Sequence, residues 1–249
     1  MIIKETLMPA TKKETQVPSI DKWPITTERF VAFIDIMGFK DMVMKMPHSA
    51  IYKMMLAIDS SKTISEEIAI DKKNNQLVKS TTYSDSIMLY SKNKTVGCFE
   101  ALIAAVSGLT YDLFIEGIPH KGAMAYGKMT LDSERSIFFG QPLIDAYLLQ
   151  EELHFYGVII HGTVEQVMHR QLNQQEFIKR YDCHLKNGKS NHYTVHPMYI
   201  SASSAAHFPD EHEKAINSLV QMKHKTSGHL RRYIDNTDSY FKYIFKETK

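Results

Sequence analysis

Cysteine is scarce: Cys98 and Cys183 are the only two in 249 residues. That excludes a disulfide scaffold or a cysteine-rich zinc module and suits a reducing compartment. An excess of one charge is also lacking, since 30 Lys and Arg stand against 28 Asp and Glu, a net of +2. So balanced a chain offers no electrostatic case for DNA as a partner. Long apolar runs are missing as well. The most apolar window, 101–118, is broken by Asp112 and Glu116 and falls short of the ~20 apolar residues that a membrane span needs. Residues 1–14 scatter Lys4, Glu5, Lys12, Lys13 and Glu14 among single apolar residues, unlike a signal peptide. These absences point to a cytoplasmic chain without membrane insertion.

What is present suits a globular protein: 43% hydrophobic and 10% aromatic residues. Residues 1–28 hold Pro9, Pro18 and Pro24 among alternating charges and read as an N-terminal arm. Residues 29–171 read as a core, and 172–249 as a C-terminal extension packed on it. The apolar run 30–34 suits a buried strand. Helical spacing over 40–69, interrupted by Pro47, predicts two helices. Strands are expected at 77–83 and 86–90 around a turn at Ser84-Asp85, then a long helix over 96–116. Strands at 120–126, 129–131 and 136–139 are punctuated by Gly122, Gly127 and Gly140. Pro142 opens a helix to 153, a strand follows at 157–161, and a helix runs to 171. Asn187-Gly188 signals a turn before a strand pair over 193–200, and a last helix starts near Leu230. This order suits an α+β domain with a mostly antiparallel sheet and helices on one face.

Asp35 and Asp85 stand out because each sits where a strand gives way to a turn. On neighbouring strands the two carboxylates would converge, and such a pair ionises cheaply only around a cation. Mg²⁺ or Mn²⁺ fits, as these ions take hard oxygen ligands and leave room for phosphates. The plainer reading makes Asp35 a helix cap and Asp85 a turn residue. Spacing alone leaves both open. His192 and His196, near Cys183 and His184, have a spacing that a strand could turn toward one ion. Neither Cys-x₂-Cys nor His-Glu-x-x-His accompanies them, and the segment reads as a surface hairpin.

The residues around the two aspartates resemble those of a known family. Phe33-Ile-Asp-Ile-Met-Gly-Phe39 and Tyr83-Ser-Asp-Ser-Ile-Met88 resemble the two metal-binding strand-and-turn motifs of the class III adenylate and guanylate cyclases. Lys121-Gly-Ala-Met-Ala-Tyr-Gly127 and Gly140-Gln-Pro-Leu-Ile-Asp-Ala146 are similar to two further segments of that family, in the right order. The resemblance implies a ferredoxin-like cyclase fold and two Mg²⁺ or Mn²⁺ ions held by Asp35, Asp85 and the Ile36 carbonyl. It also implies a triphosphate at Met37, Gly38, Phe39 and Lys40, and a homodimer with shared active sites.

There are departures. The family's transition-state Asn and Arg fall on Ile144 and Leu148, which can do neither job, so Arg231 and Arg232 become candidates to replace the Arg. The purine-reading positions fall on Thr81 and Ile137, which lack the charged groups that discriminate purines. Phe33-Ile-Asp-Ile-Met-Gly-Phe-Lys40, Tyr83-Ser-Asp-Ser86, Gly140-Gln-Pro-Leu-Ile-Asp-Ala-Tyr147 and the tail Leu230-Arg-Arg-Tyr-Ile-Asp-Asn-Thr237 resemble a narrower group, the bacterial pyrimidine cyclases of anti-phage defence. That implies cyclic UMP from UTP, or cyclic CMP from CTP, acting on a separate effector. An adenylate cyclase with a divergent base pocket, and an inactive nucleotide-binding module, are the alternatives.

Overall fold

Strand β1 (Thr26–Ile36) is the element about which the rest is arranged. The structure, a computed structural model, describes residues 23–174, 177–197 and 209–245. After β1 come α1 (Phe39–Lys45) and α2 (His48–Ile68), with Pro47 as the N-cap of the second. β2 (Val78–Tyr83), β3 (Ser86–Ser91), α3 (Val96–Ile115), β4 (His120–Asp132), β5 (Ile137–Gly140) and α4 (Gln141–Glu151) follow. The chain continues through β6 (Gly157–Ile160), α5 (Gly162–Leu172), β7 (Ile178–Leu185), β8 (Gly188–Val195), α6 (Pro209–His224) and α7 (His229–Ile244).

The strands form one sheet in the order β2-β3-β1-β4-β6-β8-β7, with β5 pairing β4. All pairings are antiparallel except β4 with β6. The segment from β1 through α1–α2, β2, β3 and α3 to β4 is a split βαβ unit with antiparallel order β2-β3-β1-β4. This is the expected ferredoxin-like arrangement.

β1 lies between β3 and β4 and is covered on both faces. Phe30, Ala32, Ile34 and Ile36 join the largest core with Leu102, Val106 and Leu109 of α3 and Val164 of α5. Val31 faces the other way, toward Met88, Tyr90, Met129 and Leu131. The helices do not all share one face, as the sequence suggested. Ala146 of α4 and Tyr240 of α7 cluster with Ala123, Ala125 and Ile159, which alternate with the residues under α3. The reason is that β4 and β6 are apolar on both sides there and need cover on both.

Two further expectations change. β4 runs unbroken through Gly127 because β1 pairs it over that whole stretch. Gly127 instead gives room to Pro142, whose Cδ would lie 3.2 Å from a Cβ there. The hairpin at Asn187-Gly188 pairs β7 with β8, so the strand expected at 193–200 begins earlier. Residues 198–200 lie outside the described ones, as do 1–22 of the expected arm, whose residues 26–28 belong to β1. Among the described residues, α3 alone is long and apolar enough to cross a membrane, and most of it is buried in the core.

Candidate active site

Asp35, the penultimate residue of β1, lies opposite Ser86 on β3 and Lys121 on β4. Asp85 sits in the two-residue connection between β2 and β3, and its carbonyl accepts a 2.8 Å hydrogen bond from the Ile36 N–H. That bond stitches the hairpin turn to the end of β1 and brings the two acidic residues to one place. Ser84 is held at φ 55°, a left-handed conformation that costs a non-glycine residue roughly 1 kcal/mol or more. The Asp35 carboxyl is pushed up to about 6, first by burial and next by the charge of Asp85. Lys121 only partly offsets this. Glu151 adds a smaller upward push, so the half-buried Asp35 carboxyl is raised by desolvation together with two acidic neighbours.

The donor set fits a hard divalent ion. Among the described residues no three His, Cys, Asp or Glu side chains gather as a metal cluster. Two carboxylates and a backbone carbonyl are oxygen donors only, which suits Mg²⁺ or Mn²⁺ and leaves coordination positions for phosphate oxygens.

Lys121 and Glu151 belong to the same place, and sequence reasoning assigned neither a role. The Lys121 side chain is 7% exposed, and its Nζ lies 3.2 Å from Glu151 Oε1 at the end of α4. Burial works against ionisation of Glu151, but the Lys121 ammonium, with Gln150 and Lys186, more than compensates and holds the carboxyl below its ordinary value. The available signal was Lys121's position at the head of its glycine-rich strand. Glu151, 30 residues away, carried none.

The turn after β1 is partly committed. The Met37 N–H donates to the Pro119 carbonyl at 2.9 Å, so it is not among the donors open to a phosphate. Gly38 is left-handed, with φ 76°, and caps α1 without any side-chain hydrogen bond. Phe39 packs into the core and Lys40 is exposed.

Beside Asp35, on the same side of β1, is a cavity of about 350 Å³ lined by Phe33, Tyr83, Ser86, Met88, Ser136, Phe138 and Leu143. Neither Thr81 nor Ile137 lines it. The Thr81 hydroxyl lies 3.4 Å from the Tyr90 hydroxyl, and Thr81 stands opposite Met88 in the β2–β3 pairing. Ile137 is exposed, while its neighbours Ser136 and Phe138 face the cavity. Ile144 and Leu148 are exposed on α4, beside Tyr147, whose ring meets Phe33 edge-on at 5.6 Å.

The two arginines are elsewhere. Arg231 donates to the Lys223 and Thr226 carbonyls at 2.6 and 3.2 Å and lies 3.5 Å from Asp235. It fastens α6 to α7. Arg232 is exposed, and its charge is felt at His154 and His184, whose imidazoles are pushed below their ordinary value first by burial. Within one protomer, neither guanidinium is among the charges that act on Asp35.

No family model matches the chain, and no curated protein matches its sequence. Among solved structures it is similar to the catalytic core of a rhodopsin-guanylyl cyclase with converted specificity, in complex with ATPαS. Identity there is 13% over 69% of this chain and 96% of that one, with a TM-score of 0.48. It is also similar to the guanylyl cyclase Cya2, at 9% identity over 70% of this chain and 93% of that one, TM-score 0.45. A class III adenylyl cyclase-like ATP-binding protein from Pseudomonas aeruginosa is 10% identical over 93% of this chain and 46% of that one, TM-score 0.41. The functional reading therefore rests on the chain's own residues.

Proposed function

We propose that the chain is a metal-dependent nucleotidyl cyclase acting on a pyrimidine nucleoside triphosphate, UTP in preference to CTP. The observation that carries this reading is the joining of Asp35 and Asp85 at one strand end, beside a cavity and a buried ammonium. In the reaction, the ribose 3′-oxygen attacks the α-phosphorus, the bond to the β-phosphate oxygen breaks, and pyrophosphate leaves. Asp35, Asp85 and the Ile36 carbonyl would hold Mg²⁺ or Mn²⁺, which acidifies the 3′-hydroxyl and neutralises the phosphates. Lys121 supplies a cation held by the fold at the same strand end, suited to charge that develops on the departing pyrophosphate. Gly38 and the start of α1, with Lys40 at the rim, provide the remaining contacts to the triphosphate.

The preference for a pyrimidine is supported by what surrounds the base. The cavity beside Asp35 is lined by Phe33, Met88, Phe138 and Leu143 with the hydroxyls of Tyr83, Ser86 and Ser136, and by no charged side chain. A cavity without the charged groups that read a purine edge cannot favour a purine through charge-assisted hydrogen bonds. Assembly as a homodimer is supported by the apolar surface that β5 and α4 leave open: Phe139 is 60% exposed, Leu148 57% and Ile144 52%. A second copy would bring its own groups to each site, Arg232 included. The product would then serve, in the cytoplasm, as a messenger to a separate effector in anti-phage defence.

A second reading has its own observation. The apolar Ile144 and Leu148 where the cyclases have Asn and Arg would suit a module that binds a nucleotide without converting it. Incubating the purified protein with ATP, GTP, CTP and UTP in equimolar mixture with Mn²⁺, and identifying products by mass spectrometry, separates the readings. Cyclic UMP or cyclic CMP is expected. Dominant cyclic AMP overturns the pyrimidine assignment, and bound but unconverted nucleotide favours the module.

A further inference from the structure

Lys121 lies opposite Asp35 in the β1–β4 register, yet its ammonium pairs with Glu151 instead. Residues directly opposite on antiparallel strands stand roughly 5 Å apart at Cα and share a face. The ammonium is thus within a side chain's reach of the carboxylate pair, and its charge acts on Asp35, but the carboxylate it bonds is that of Glu151. Glu151 is itself held in place. Its Oε1 accepts from the Lys121 ammonium and, at 3.0 Å, from Nε2 of the fully buried Gln150. Its Oε2 faces Lys186 Nζ at 3.8 Å. Lys186 stands in the β7–β8 connection, which is bolted to the end of α4: the Lys186 N–H donates to the Glu152 carbonyl at 2.8 Å, and the His154 N–H to the His184 carbonyl at 2.9 Å.

We propose that Glu151 is a positioning residue of this centre, parking the Lys121 ammonium away from Asp35 so that the carboxylate pair stays open to a divalent cation. Lys186 shares Glu151 with Lys121, so the docking of the β7–β8 hairpin sets how firmly the ammonium is parked. Without Glu151, Lys121 still faces Asp35 across the β1–β4 register, and an ammonium seated there competes with the metal. This inference rests on the metal-dependent reading of the site, and the experiment separates the two.

The test combines Mn²⁺ binding by calorimetry with crystal structures of the metal-free protein, using the full chain. Glu151→Gln is expected to weaken Mn²⁺ binding about tenfold, a size typical of losing an outer partner of a metal site. Glu151→Asp, which keeps the charge, should restore most of it. The deciding variant is Glu151→Gln in a Lys121→Met background. If Glu151 acts by parking Lys121, the added substitution changes affinity by less than about twofold, because no ammonium remains to be misplaced. A full loss in that background means that Glu151 acts on the metal through space, and overturns the proposal. Structures of Glu151→Gln should show Lys121 Nζ moved onto the Asp35 carboxylate, and an ammonium that stays in place refutes the parking role. Wild-type protein that binds no Mn²⁺ at all sinks the metal-dependent reading, while the position of Lys121 in the Glu151→Gln structure still decides the role of Glu151.

Discussion

The two flanks of the sheet are built to opposite standards. Around β6, β8, β7 and α7 the packing is dense and aromatic. Tyr240 is fully buried against Phe155, Tyr181 and Phe241, and its hydroxyl donates to Thr194 Oγ1 at 3.0 Å. Burial drives that phenol far above its ordinary pKa, so it stays a neutral donor. Around β1, β5 and α4, by contrast, carboxylates crowd each other, Ser84 is strained, and large apolar side chains face outward. The difference teaches where this fold places its stability: away from the strand ends where charge and open surface are needed. A protein can carry a costly site only on a scaffold secured elsewhere.

The comparison is broken most severely at the carboxylates. On the proposed reading, replacing Asp85 with Asn should lower cyclase turnover by about a thousandfold or more, since it removes the charge proposed to hold the metal while leaving the turn's backbone bond to Ile36 intact. Steady-state rates at saturating Mn²⁺ check this, and near-normal turnover would remove Asp85 from the centre. On the aromatic flank, Phe241→Ala should cost about 3–5 kcal/mol, because the ring is fully packed against Phe114 and Phe245. Thermal melts should then show a drop of about 10 °C for a chain this long, and an unchanged melting temperature would contradict the claim that this flank secures the fold.

A charge on the open face sharpens the contrast. Leu148→Lys should leave the melting temperature within about 2 °C, since surface changes move stability by roughly 0.5 kcal/mol at most. It should nevertheless convert dimer to monomer in analytical ultracentrifugation and take activity down with it. A dimer that persists would show that α4 is not the interface. The smallest effect is at Asp35 itself. Its carboxyl titrates near 6 in the fold against 3.8 when unconstrained, so ionising it between those values costs stability, fully above pH 6 and not at all below about 3.8. In metal-free protein, Asp35→Asn should raise stability by about 1–2 kcal/mol at pH 7, after allowance for solvent. Melts across pH should show that gain fading as the solution is acidified toward pH 4, and a gain that grows on acidification would reverse the sign of the argument.

Much of this was legible in the sequence, for local reasons. Asp35 and Asp85 could be found because each sits where a strand gives way to a turn, and strand pairing then brings them together. The split between α1 and α2 followed from Pro47 alone. β7 was missed because Ile178-Lys-Arg-Tyr-Asp-Cys-His-Leu185 mixes charges into its apolar positions, and only its place at the sheet edge tolerates them. α6 was missed because few of its side chains are buried, Ala215 and Leu219 among them, and its register is set by neighbours rather than by its own pattern. Arg231 was a candidate to replace the missing Arg because a guanidinium at a helix start looks available, whereas the Lys223 and Thr226 carbonyls and Asp235 hold it. The Lys121–Glu151 pair depends on α4 returning over β4, a long-range event that no local window records.

Trp23 is the only tryptophan in the chain. Its ring meets Tyr90 edge-on at 5.9 Å, with the Lys79 ammonium 4.8 Å from its centre. It also packs in the cluster that contains Met88, Phe138 and Leu143, three of the residues lining the cavity beside Asp35. The molecule therefore carries a built-in optical probe: a ligand that enters the cavity and shifts those side chains alters the surroundings of its one indole, which can be excited apart from the tyrosines. Fluorescence titrations can thus follow occupancy of the site without a label, and without waiting for any product to form.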